Sequence, residues 1–198
     1  LYYTFNEGNG TITTDSSGNG NTGAILGGAT WITGQIGNAL QFDGVDDYVD
    51  AGSGQSLDLT GPFTLSAWIY RTVDSGGYER IFSKSDSSVY DYWLQITDDD
   101  KLGGGFINAG GTSQNIDAGS QLTGTSIPLN QWVHVAMVFN GVNLTGYYNG
   151  NIDRYTPTSG NPRSSTRPVR VGLLLDYYGF NGKIDDVRIY NKSLSSQE

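Results

Sequence analysis

Three stretches of the chain set tyrosines beside charged groups: Tyr78 with Arg80, Tyr90-Asp91-Tyr92 running into Trp93, and Asp176-Tyr177-Tyr178. Side chains of this kind recognise sugars in two complementary ways. Aromatic faces lie against the C–H patches of a pyranose ring, while guanidinium, amide and carboxylate groups exchange hydrogen bonds with its hydroxyls. Tyr78, Arg80, Asp91, Trp93, Asp176, Tyr177 and Tyr178 are therefore the candidate ligand-binding residues. Tyrosine is abundant here, at 13 residues, so no single one carries weight. The reading rests on three loop clusters that would converge at one rim.

A further set lies on alternating strand positions. Trp68, Tyr70, Trp93, Gln95, Trp132, His134 and Arg170 would occupy one outer face if their strands share a sheet. For Trp68 and Trp132 packing under a covering loop is the preferred reading, and for Trp93 packing and recognition are evenly weighed.

Catalysis finds less support. Retaining glycoside hydrolysis needs two carboxyls about 5–5.5 Å apart, which on a strand means acids at alternate positions. Asp185 and Asp186 are adjacent and so face opposite ways, and Asp46, Asp47 and Asp50 form no alternating triplet. His134 with Arg170 and Tyr70 is a conceivable set for lyase chemistry. A serine triad lacks its Gly-x-Ser-x-Gly elbow, and the absence of cysteine removes thiolate nucleophiles and disulfides. Asp98-Asp99-Asp100, followed by Lys101, reads as a solvated hairpin turn. The run from Asp15 to Asn21 puts oxygen ligands at alternate positions but lacks the acids of an EF-hand loop.

The elements that position these groups are strands. The chain of 198 residues carries 29 glycines and a net charge of −9; average usage would give about 14 glycines. Tight turns between short strands explain the excess. The acidic balance argues against nucleic acid, which needs clustered Lys and Arg, and against anionic membrane surfaces. No apolar run approaches the ~18 residues of a membrane span, and no signal peptide is visible. Because the chain starts at Leu1 rather than Met, it reads as one module, residues 1–198, of a larger protein.

Period-two alternation predicts strands over 63–70, 92–97, 132–139 and 168–175, with others at 1–5, 39–42, 48–50, 80–83, 102–107, 143–148 and 184–190. Asp43-Gly44, Asn140-Gly141 and Asn149-Gly150 are candidate hairpin turns. No stretch keeps a 3.6-residue period. About a dozen strands in two packed antiparallel sheets follow.

Several segments, in order, resemble the laminin G-like/concanavalin A-like jelly-roll modules. They are Tyr3-Thr-Phe-Asn-Glu7, Ala39-Leu-Gln-Phe-Asp-Gly-Val-Asp-Asp-Tyr-Val49, Phe63-Thr-Leu-Ser-Ala-Trp-Ile69, Gln131-Trp-Val-His-Val-Ala-Met-Val-Phe139 and Gly182-Lys-Ile-Asp-Asp-Val-Arg-Ile-Tyr-Asn191. The resemblance implies an all-β, two-sheet antiparallel β-sandwich. It also implies a structural Ca²⁺ held by Asn6, the Asp43-Gly44 turn and Asp185, with Asp15 a looser candidate. Asn6 stands where family members commonly have Asp. The function it implies is a non-catalytic carbohydrate-binding module of a secreted or cell-surface protein, with a polysaccharide or glycan as partner and other domains of the parent protein alongside. A structural or adhesive domain is the alternative, and a polysaccharide-degrading domain the more distant one.

Overall fold

Alternating apolar positions demand two layers, since one face of each strand must leave water. The computed structural model has this architecture and describes residues 1–86, 89–117, 124–173, 178–195 and 198. In chain order the strands are β1 (Tyr2–Tyr3), β2 (Ile12–Thr13), β3 (Gly23–Leu26), β4 (Thr30–Thr33), β5 (Asn38–Asp43), β6 (Tyr48–Asp50), β7 (Phe63–Arg71) and β8 (Glu79–Ser85). They continue as β9 (Tyr90–Ile96), β10 (Leu102–Ile107), β11 (Ser113–Asn115), β12 (Trp132–Phe139), β13 (Asn143–Tyr148), β14 (Asn151–Pro157), β15 (Val169–Val171) and β16 (Asn181–Tyr190). Among the described residues no helix is long and apolar enough to cross a membrane.

Sheet 1 runs β14-β13-β12-β7-β16-β5-β4, with β1 added on β16; sheet 2 runs β11-β10-β9-β8-β15-β6-β3-β2. The strands pair antiparallel within each sheet. Leu65, Ile69, Val135 and Met137 of sheet 1 meet Tyr92, Leu94 and Phe106 of sheet 2 in one buried core. Phe63, Phe106 and Phe139 close one end of it, with Phe106 and Phe139 centroids 4.7 Å apart.

Two of the three predicted hairpins form. Asn149 and Gly150 both adopt positive φ, 47° and 78°, as a two-residue turn between β13 and β14 requires. Asn140 Oδ1 accepts the amides of Val142 and Asn143, closing β12 onto β13. The Asp43-Gly44 turn is different: β5 belongs to sheet 1 and β6 to sheet 2, so it carries the chain across the sandwich. The predicted strand over 168–175 shortens to Val169–Val171, with residues 174 and 175 outside the described set. The Asp98–Asp100 turn does link β9 to β10, and Asp100 also reaches the wholly buried Arg71 at 2.9 Å.

The partition into sheets corrects one expectation. Trp68, Tyr70, Trp132 and His134 sit on β7 and β12 of sheet 1, whereas Trp93, Gln95 and Arg170 sit on β9 and β15 of sheet 2. The core lies between them. His134, Tyr70 and Arg170 are therefore not one constellation.

Candidate functional site

The clearest site grows from one end of sheet 2. On β9, Tyr92, Leu94 and Ile96 enter the core, so Trp93 and Gln95 face outward. The register sets Arg80 opposite Gln95 and Gly105 opposite Trp93. A cavity of about 330 Å³ opens there, lined by Tyr78, Arg80, Tyr90, Trp93, Gln95, Ile107, Ser113, Asn115, Asp117 and Tyr178. Rings wall it in pairs: Tyr78 meets Tyr178 edge-on at 5.7 Å, and Tyr90 meets Trp93 at 5.2 Å. The Arg80 amide donates to the Tyr178 carbonyl at 2.9 Å, which fixes the two walls relative to each other.

The floor depends on glycine. A Cβ on Gly103 would lie 2.5 Å from Asp117 Oδ1, and one on Gly105 2.3 Å from the Gln114 carbonyl oxygen. Bare backbone on β10 thus lets the following segment cross close above it. Asp117 is held there by the Gly104 amide on Oδ1 at 2.7 Å and by Gln95 Nε2 on Oδ2 at 2.9 Å. Burial still pushes its carboxyl above the usual range.

Arg80 is the unusual member. It is only 4% exposed, yet its Nε and Nη1 have no hydrogen-bond partner. Its Cζ lies 5.7 Å from the Tyr90 ring centroid and 6.0 Å from that of Trp93, so the rings supply a loose cation–π enclosure. Burial pulls its pKa down to about 10; the group stays charged at neutral pH with part of its hydrogen-bonding capacity unused.

Of the sequence-predicted ligand residues, Tyr78, Arg80, Trp93 and Tyr178 meet in this cavity. Asp176 and Tyr177 lie outside the described residues. Asp91 is elsewhere in role: nearly wholly buried, it pairs with Arg163 at 2.5 Å and Arg167 at 3.0 Å and accepts the Ser165 hydroxyl. Its oxygens tie the loop before β15 to β9, and the candidate role as a sugar ligand does not fit that position. Asn115 and Asp117 escaped the sequence reading; the run Gly103-Gly104-Gly105 inside a strand was the signal that something approaches closely there.

A second cavity, of about 240 Å³, lies on the outer face of sheet 1 among Thr64, Ser66, His134, Ala136, Tyr147, Asp186, Arg188, Tyr190, Leu194, Ser195 and Glu198. His134 packs edge-on against Trp68 at 5.3 Å, Tyr70 against Trp132 at 5.6 Å, and Lys183 Nζ stands 4.6 Å from the Tyr70 centroid. Burial holds the His134 imidazole below its ordinary pKa.

The implied calcium ligands separate into groups. Asn6 and Asp185 flank the loop after β4: Asn6 Oδ1 accepts the Asn38 amide and Asp185 Oδ2 the Ile36 amide, at 2.9 and 2.8 Å. Asp185 is wholly buried, its Oδ1 has no partner, and burial raises its pKa. An orphaned buried carboxylate oxygen is what a bound cation would satisfy, so these two residues fit the ion. Asp43 and Gly44 do not join them, because they lie at the opposite end of β5. Asp43 instead clusters with Asp46 and Asp47, ligand oxygens within 4.8 Å of one another. Asp15 is committed: although burial alone would raise its pKa, hydrogen bonds from Ser17, Tyr2 and Asn21 hold it well below the usual range.

Comparison with known proteins places this geometry. No curated protein matches the chain significantly by sequence. The binding domain of Paraclostridial Mosquitocidal Protein 1 superposes with a TM-score of 0.77 at 16% identity, covering 96% of this chain and 48% of that one. Domain 4 of AbnA, a GH43 extracellular arabinanase from Geobacillus stearothermophilus solved in complex with arabinotriose, gives 0.76 at 21% identity, covering 99% and 93%. The binding domain of Botulinum Neurotoxin DC in complex with SialylT gives 0.73 at 15%, covering 100% and 48%. The chain thus spans about half the length of the toxin binding domains it matches. At these identities the likeness is one of fold. The sequence itself matches a defined family over residues 43–198, and on that match the chain belongs to the laminin G-like (Laminin_G_3) family of the concanavalin A-like lectin/glucanases superfamily.

Proposed function

We propose that this chain is a non-catalytic carbohydrate-binding module of a secreted or cell-surface protein, and that the sheet 2 cavity is where it holds a polysaccharide or glycoconjugate. The observation that carries the reading is the enclosure of a partly unsatisfied Arg80 by Tyr78, Tyr90, Trp93 and Tyr178 in about 330 Å³. That volume lies within the range of ligand sites, about 300–1,000 Å³. Stacking surfaces, N–H donors and a carboxylate in one hollow match the alternating C–H and hydroxyl faces of a sugar. The ligand-bound state of the AbnA domain, and the extracellular setting of that enzyme, support the same reading.

Binding rather than catalysis is favoured by the acid count. Asp117 is the only carboxylate among the described residues that line the cavity, and both its oxygens already accept hydrogen bonds. Hydrolysis by paired carboxyls needs a second, free one. We also propose that Asn6 and Asp185 contribute to a structural Ca²⁺ site, which would neutralise the buried carboxylate and fasten the loop after β4 to β16.

The test is calorimetric titration of the intact chain with a broad panel of oligosaccharides. At least one should bind, and Trp93→Ala should weaken that binding by about 30-fold or more while the variant still melts cooperatively. Absence of binding across the panel would favour a structural or adhesive domain.

A further inference from the structure

Arg80 narrows the ligand class, an inference that rests on the glycan reading of the sheet 2 cavity. Other arginines in the molecule show what a buried guanidinium ordinarily obtains. Arg71 is 1% exposed and is met by Glu79 at 2.7 Å, Asp100 at 2.9 Å and the Ile127 carbonyl at 3.0 Å. Arg154, also buried, donates from Nη1 to the Leu102 carbonyl at 2.9 Å and, of its buried nitrogens, leaves only Nε without a partner. Arg80 is as inaccessible as these, but two of its nitrogens reach no acceptor. The carboxylate that shares its cavity, Asp117, spends its oxygens on Gly104 and Gln95 instead.

Removing a cation from water without pairing it is costly, and the cost is recovered when an anion with suitable geometry arrives. A neutral hydroxyl would accept one hydrogen bond and leave the charge uncompensated; a carboxylate or sulfate ester would do both. The surrounding rings exclude water and so strengthen that attraction. The flanking Tyr90 and Trp93 leave flat apolar surface for the ring that bears the anion. We propose that the cavity recognises an acidic sugar, its carboxylate or sulfate ester seated against Arg80.

The experiment uses the intact chain and pairs of oligosaccharides. Uronate- or sialate-bearing compounds are set against their carboxyl-reduced forms, and sulfated compounds against their desulfated forms. The acidic member of at least one pair should bind about tenfold or more tightly than its neutral partner, the scale of a hydrogen bond to a charged group. Whether that pair is carboxylated or sulfated identifies the anion. Arg80→Met should erase the preference, Arg80→Lys should keep part of it, and Arg188→Met, on the other face, should leave it intact. Thermal melts establish that each variant is folded. If Arg80→Met does not fold, the wild-type preference and its reduction in Arg80→Lys still decide. Neutral members binding as tightly as acidic ones would overturn this inference and leave glycan binding standing. A folded Arg80→Met that keeps the acidic preference would overturn the role of Arg80. No binding by any oligosaccharide would remove the glycan reading and this inference together.

Discussion

The two outer faces of the sandwich each carry a cavity, and each cavity contains an arginine. On sheet 1, Arg188 sits 3.0 Å from Asp186, donates to Tyr190 Oη at 3.2 Å and Tyr2 Oη at 3.0 Å, and lies 4.2 Å over the Tyr2 ring. Burial alone would lower its pKa, but Asp186 and Tyr190 raise it above the ordinary value. On sheet 2, burial outweighs the attraction of Asp117 and the neighbouring tyrosines, and Arg80 falls to about 10. The cavities are of similar size, about 240 and 330 Å³. What separates them is charge pairing: Arg188 has Asp186 at 3.0 Å, although its Nε makes no hydrogen bond, whereas Arg80 has no ion-pair partner among the described residues. A hollow whose cation is already paired is a crevice in a packed surface; one whose cation is unpaired has reason to take a partner.

The largest effect expected from this contrast is on affinity. Trp93→Ala should weaken the best oligosaccharide by about 30-fold or more, the loss typical of an anchoring aromatic, whereas Tyr147→Ala on sheet 1 should change it little. Calorimetry on both variants checks this, and the reverse pattern would move the ligand to sheet 1. Calcium sharpens the contrast next. At a hundredfold excess over its dissociation constant the ion should add about 2.7 kcal/mol of stability. A chelator should lower the melting temperature of the native chain but not of Asp185→Asn, while the Trp93 site itself stays intact.

Stability gives a smaller, opposite-signed pair. Arg188→Met strands Asp186 and should cost about 1–2 kcal/mol, below the usual loss for breaking a buried pair, because the Arg188 side chain is 34% exposed. Arg80→Met removes a buried cation that has no direct ion-pair partner among the described residues and should be neutral or stabilising, the signature of a group kept for binding at the expense of the fold. Denaturant midpoints measure both. The smallest change is Gly103→Ala. Its methyl would meet Asp117 Oδ1 at 2.5 Å and Thr97 Cγ2 at 2.6 Å, so Asp117 must shift. Stability should fall by about 1 kcal/mol, the lower end of overpacking costs, and affinity should fall with the displacement of Asp117.

How much of this was legible in the sequence follows from what each signal encodes. Period-two alternation states which side of a strand faces the core, and it placed Leu65, Leu94, Val135 and their neighbours correctly. It does not state which sheet a strand joins. Trp68 and Trp93 therefore looked like neighbours although the core divides them. Asp-Gly at 43–44 specifies a backbone bend, with Gly44 at φ 81°, and says nothing of whether the next strand pairs with the last or crosses to the other sheet. Tyr78, Arg80, Trp93 and Tyr178 could be grouped because their composition is that of a recognition surface. Asp91 looked like one of them; its partners Arg163 and Arg167 lie more than seventy positions away, a distance no local spacing spans. Asp117 lay in a polar stretch with no pattern of its own, and only the glycines beneath it marked the approach.

The four tryptophans offer the most direct test, because they report on separate parts of the molecule. Trp93 lines the sheet 2 cavity, Trp68 and Trp132 lie on sheet 1, and Trp31 on β4 donates its indole N–H to the Gly10 carbonyl at 2.9 Å. In an NMR titration with a bound oligosaccharide the Trp93 indole resonance should shift and the other three should stay in place. Movement of Trp68 and Trp132 with Trp93 unchanged would show that the ligand sits on the other face.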